Sequence, residues 1–73
     1  MKRTKVESSN IASVGYDQLD GIMEIEFNSG AIYQYENVPI RVYDVMMKAD
    51  SVGKYFNAHI KSKYSYRRVD NGC

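Results

Sequence analysis

Apolar and polar residues alternate most cleanly from Ile22 to Phe27, where Met23, Ile25 and Phe27 interleave with Glu24 and Glu26. A period of two sends the three apolar side chains to one face of a strand and the carboxylates to the other. Ile11 to Asp17 reads as an earlier strand, and Asp20-Gly21 is a strong hairpin signal between the two. Asn28-Ser29-Gly30 supplies the next turn, with Gly30 suited to positive φ. Ala31 to Asn37 follows as a third strand, and alternation puts Tyr33 and Tyr35 side by side on one of its faces. Val38-Pro39 ends the sheet, Pro39 fitting the first turn of a helix because it has no N–H to leave unpaired.

The period then changes. Over Ile40 to Ala49, Val42, Val45, Met46 and Ala49 share a helical stripe. Asp50-Ser51 offers N-cap candidates for a second helix, in which Val52, Phe56 and Ile60 recur every four residues, flanked by Tyr55 and His59. Lys61 to Val69 reads either as a frayed helix end or as a short added strand. The predicted class is α+β: a three-stranded antiparallel β-meander followed by one or two α-helices packed on one face. So small a sheet needs that cover to be stable. Residues 8–69 are expected to form a single domain, with a flexible basic lead-in over 1–7 and a polar tail over 70–73.

A chain of 73 residues with 44% hydrophobic content supports one core and no separate catalytic domain. Its aromatic set is seven tyrosines, two phenylalanines and no tryptophan, a bias toward rings with a polar tip. Cys73 is the only cysteine, so no intramolecular disulfide can form. No apolar run approaches the roughly 18 residues of a membrane span, and no signal-peptide core is visible. The expectation is a cytoplasmic protein with no membrane association.

The net charge of +1 hides a strong segregation. Residues 1–6 carry +3, residues 7–44 carry −6 and residues 45–68 carry +5. The basic final third either presents a positive face or lies against the acidic sheet.

Catalytic chemistry is the poorest fit. His59 is the only histidine and stands among apolar helix neighbours. Glu24 and Glu26 occupy the polar side of an amphipathic strand rather than forming an acid/base pair. No Cys/His set has zinc spacing, and Gly53-Lys54 lacks the spacing of a phosphate loop. No cofactor and no metal are expected. Ser51-x-Gly53-Lys54 could place a phosphate at a helix N-terminus. Equally, Ser51 is an ordinary cap and Gly53 permits close packing. Tyr33 and Tyr35 could stack unpaired bases or could be core; they are expected to share the covered face with Met23, Ile25 and Phe27. Near the C-terminus, Lys61, Lys63, Arg67 and Arg68 interleave with Tyr64 and Tyr66, a combination suited to single-stranded nucleic acid.

An ordered set of residues runs through the chain: Ser8-Ser9, Ile11, Gly15-Tyr16-Asp17, Ile25-Glu26-Phe27, Gly30, Tyr33-Gln34-Tyr35, Val38-Pro39, Ala49, Ser51, Gly53, Phe56-Asn57, Ile60 and Tyr64. In this the chain resembles the KTSC domain family over residues 8–66, with Tyr33 and Tyr35 as its Y-x-Y signature. Gly15, Tyr16, Gly30, Tyr33, Tyr35, Pro39, Gly53 and Phe56 then stand as family positions. The family is named for the C-terminus of some lysyl-tRNA synthetases and also occurs as small bacterial or phage proteins. The resemblance implies RNA as a ligand class, but no synthetase activity, because the synthetase body is missing. The resulting expectation is a non-enzymatic module that binds RNA through Lys54, Lys61, Lys63, Tyr64, Tyr66, Arg67 and Arg68. The alternative is a protein-interaction adaptor using its sheet edges.

Overall fold

A computed structural model describes residues 3–69. Five strands form one antiparallel sheet in chain order: β1 (Arg3–Lys5), β2 (Ile11–Asp17), β3 (Ile22–Phe27), β4 (Ile32–Tyr35) and β5 (Tyr66–Val69). Helices α1 (Ile40–Lys48) and α2 (Val52–His59) lie between β4 and β5 in the chain. The α+β class and the central meander agree with the sequence pattern, and two outer strands must be added to the three expected. Arg3–Lys5, expected within a flexible lead-in, pairs with Ser13–Gly15. Tyr66–Val69 pairs with Ile32–Tyr35, so the last four residues of the ambiguous C-terminal run form a short added strand, and residues 61–63 before it are turn. Neither segment shows apolar/polar alternation, because edge strands of three or four residues are held by backbone pairing more than by burial. The expected tail over 70–73 lies outside the described residues.

Turn chemistry sets the register. Asp17 Oδ1 accepts from the backbone N–H of Leu19 and of Asp20, and Gly21 then takes φ +67°. Gly30 closes the β3–β4 turn at φ +98°, a conformation that costs glycine little. A register shift at Ala12 sets two β2 intervals against one on β3, since Ile11 opposes Phe27 and Ser13 opposes Glu26. This bulge lets Ile11 and Val14, an odd number of residues apart, both join the core.

Pairing of Met23 with Tyr35 and of Ile25 with Tyr33 puts both signature tyrosines on the covered side. Tyr35 is 2% exposed and belongs to the core; Tyr33 is half-buried at its margin. The core also takes Val38, Met46, Val52, Phe56 and Ile60. The buried side of α1 differs from the expected stripe: Val42, Tyr43, Met46 and Met47 face the core, while Val45 is exposed. The rotation is explained by Tyr43 stacking on Tyr16 of β2, with ring centroids 5.2 Å apart. Tyr16 in turn donates its hydroxyl to the carbonyl of Val38. Pro39 immediately precedes α1 and its carbonyl accepts from Val42 and Tyr43 N–H.

Candidate binding cleft

A cleft of about 470 Å³ opens between α2 and the ends of β2, β3 and β4. Its apolar wall is a connected set of rings. Phe27 meets Tyr33 edge-on at 5.5 Å and Phe56 edge-on at 5.6 Å, and Tyr35 meets Phe56 at 5.3 Å. Tyr66, arriving on β5 opposite Tyr35, stacks on Tyr33 with centroids 5.3 Å apart and planes 25° from parallel. Its ring also lies 5.2 Å from that of Tyr35. Tyr66 remains 54% exposed, so it is the outermost ring of the group.

The rim is polar. Asn10, Asn28 and Asn57 line the cleft with Ser9 and Ser29, and Lys61 is the one charged residue among those lining it. The Asn28 amide nitrogen donates to the carbonyls of Ser8 and Ser9, at 3.2 and 2.9 Å. Carbonyls only accept, so the amide can face them only with its NH2 end. Asn28 thereby ties the β3–β4 turn to the β1–β2 connection beside the cleft. Burial pushes the Tyr35 phenol up to about 12, with Tyr66 and Tyr33 adding to the rise. Burial also raises Tyr16, helped by Asp17.

Gly53 joins α2 to the same corner. A Cβ at this position would sit 2.7 Å from Ser8 Oγ, an oxygen that accepts from the backbone N–H of Asn10 and Ile11. Close approach, the packing alternative for Gly53, is what the geometry uses. Ser51 Oγ accepts from Lys54 N–H as an ordinary N-cap, so that first-turn donor is already engaged.

The seven residues singled out for nucleic acid do not form one surface. Lys61 and Tyr66 both line the cleft. Arg68 opposes Tyr33 across β4–β5 and therefore shares its side of the sheet. Lys54 and Lys63 are exposed, one in the first turn of α2 and one in the turn after it. Tyr64, singled out with Tyr66 for nucleic acid, is half-buried against the core. Arg67 points to the opposite, helix-free face, where its Nη2 donates to Gln34 Oε1 at 3.4 Å.

The acids also lie on that far face. Glu24 Oε2 accepts from Arg3 Nη1 at 2.7 Å and Glu24 Oε1 accepts from Gln34 Nε2 at 2.9 Å. Glu26 Oε1 accepts from Ser13 Oγ at 2.8 Å. The two strand carboxylates are thus turned away from the cleft rings and are engaged by neighbours. Sequence reasoning missed Phe27, Phe56 and the three asparagines as cleft residues. Their signals were the turn chemistry of Asn28 and the places of Phe27 and of Phe56-Asn57 in the family pattern; Asn10 had none. Among the described residues no cluster of His, Cys, Asp and Glu could hold a metal ion, and no helix is long and apolar enough to cross a membrane.

Comparison with known proteins gives a consistent result. The family model described as the KTSC domain matches residues 7–64. An uncharacterized protein of Stutzerimonas stutzeri is 46% identical over 71 residues, covering 96% of this chain and all of the relative. A lysine–tRNA ligase of Trichormus variabilis is 35% identical over 65 residues, which is 89% of this chain but 12% of the ligase. The crystal structure of a KTSC domain protein from Yersinia pestis superposes with a TM-score of 0.92 at 39% identity, covering 94% of this chain and 97% of that one.

Proposed function

The chain belongs to the KTSC domain family, and from that premise we propose that it is a small non-enzymatic module that binds single-stranded RNA at the ring-lined cleft. The observation that carries this reading is the half-exposed Tyr66 stacked on Tyr33, with Lys61 on the cleft rim and Arg68 on the same side of the sheet. A free ring face accepts any base by stacking, worth about 1–3 kcal/mol per base. The flanking cations would hold the phosphates on either side, and the rim amides can hydrogen-bond to base edges. The presence of a similar segment in lysine–tRNA ligases, enzymes named for tRNA, supports the ligand class by association.

The adaptor reading draws less support from the fold. Both outer strands carry cations, Arg3 and Lys5 on β1 and Arg67 and Arg68 on β5, and charge on an edge opposes pairing with another strand.

The test is a salt titration of binding to a mixed-sequence single-stranded RNA, followed by fluorescence anisotropy. Two phosphate contacts predict that log affinity falls with log salt at a slope of about −1.4. Tyr66→Ala should weaken binding about fivefold to a hundredfold through lost stacking. A wild-type chain that shows no binding at low salt would overturn the proposal.

A further inference from the structure

The helix-free face carries a line of side-chain hydrogen bonds from one outer strand to the other. Arg3 pairs with Gly15, and Gly15 pairs with Glu24, so the Arg3 side chain crosses β2 at a residue with no side chain and reaches the Glu24 carboxylate. Gln34 donates to the other oxygen of that carboxylate. A carboxylate only accepts, so the NH2 end of Gln34 must face Glu24 and its oxygen must face β5. That oxygen is left as an acceptor at the edge of β5. The register puts Arg67 directly opposite, and its guanidinium makes the contact.

We infer that Gln34 and Arg67 are positioning residues that hold Tyr66 over the cleft. The functional consequence rests on the RNA-binding reading above. Adjacent strand residues point to opposite faces, so fixing Arg67 on the open face fixes Tyr66 and Arg68 on the cleft side. The constraint matters because β5 is four residues long, has one partner strand and contains two consecutive arginines. A slip of one residue would reverse every side chain of β5 and take Tyr66 off Tyr33. Charge alone does not choose which arginine faces which way. The fixed acceptor of Gln34 makes that choice, together with the pairing of Val69 with the buried Ile32. Arg67 therefore acts on binding without touching the ligand.

The experiment compares wild type, Arg67→Met and Arg67→Lys in the RNA salt titration and in amide hydrogen exchange of β5. Arg67→Met removes the donor and should weaken binding about fivefold while leaving the salt slope unchanged. Arg67→Lys restores a donor and should recover most of the affinity. A slope that becomes shallower by about 0.7 in Arg67→Met would mean that Arg67 meets a phosphate, and overturns the inference. Unchanged affinity in Arg67→Met overturns it as well. If the wild type binds no RNA, the proposed function fails separately and exchange alone decides. Faster exchange of the Arg67→Met β5 amides then supports the positioning role, and unchanged exchange sinks it.

Discussion

Met23, Ile25 and Tyr35 on the covered face are shut away from water by α1 and α2, whereas Glu24, on the same strand as the first two, is only 9% exposed with no helix above it. The covered face gains stability from apolar area removed from water, at about 25 cal/mol per Å². It tolerates variation in contact as long as volume is kept. The open face uses charged groups whose desolvation is offset only by correct partners, so each contact is specific in direction and register. The covered face therefore carries most of the stability, and the open face decides how the outer strands sit. The cleft lies where these two kinds of control meet, since its inner rings belong to the core and its outer ring belongs to an edge strand.

The largest expected effect lies on the covered side. Phe56→Ala removes a buried ring that touches Phe27 and Tyr35, and should cost about 3–5 kcal/mol in a urea titration. A loss below about 1 kcal/mol would show that the covered face is not the main source of stability.

Alkaline pH acts on the same face. The Tyr35 phenol is pushed from 10.0 up to about 12, so the folded state holds its proton after the unfolded chain has lost it. Stability is complete below pH 10 and falls as pH rises toward about 12, and the raised Tyr16 acts in the same direction. Urea midpoints at about pH 9 and about pH 11 measure the decline, and Tyr35→Phe should flatten it.

Gly53→Ala tests the corner between α2 and Ser8. Alanine suits a helix better than glycine by about 1 kcal/mol. A Cβ 2.7 Å from Ser8 Oγ forces that hydroxyl to move, however, and moving it breaks its bonds to Asn10 and Ile11 N–H at 3.3 and 3.4 Å. The expected net loss is about 1–3 kcal/mol, comparable with overpacking a core. Made on Ser8→Ala, the same substitution should become stabilising; a loss of equal size there would refute the contact.

The smallest effect sharpens the open face. Arg3 and Glu24 side chains are 27% and 12% exposed, between a surface pair and a buried one. A double-mutant cycle with Arg3→Met and Glu24→Gln should give a coupling of about 1 kcal/mol. Coupling near zero would remove β1 from the hydrogen-bonded line and leave it held by backbone bonds alone.

Much of the fold could be read along the chain because each inner element carries its own periodic signal. Ile22–Phe27 alternates, Asp20-Gly21 and Gly30 mark turns, and Ser51 caps α2 as its position suggests. The binding cleft was less legible. Tyr66 was visible as an aromatic among cations, but its stacking on Tyr33 joins residues 33 positions apart. The basic C-terminal cluster looked like one surface, yet β5 divides it, with Arg67 on one face and Arg68 on the other. Asn28 and Phe56 reach the cleft from different elements, and no local pattern marks that convergence.

Local sequence by itself determined the α+β class, the central meander, the turns and the cap of α2, whereas the place of Tyr35 in the core stays open in the sequence and is decided by the helices that cover it. The former depend on backbone preference and on periodicity within a few residues, which a single segment carries in full. Only the tertiary structure decided that Arg3–Lys5 and Tyr66–Val69 become outer strands, which side of α1 turns inward and where Tyr66 comes to rest. Those outcomes depend on partners distant in sequence, where register and burial are settled by whichever surfaces meet when the sheet closes beneath its helices.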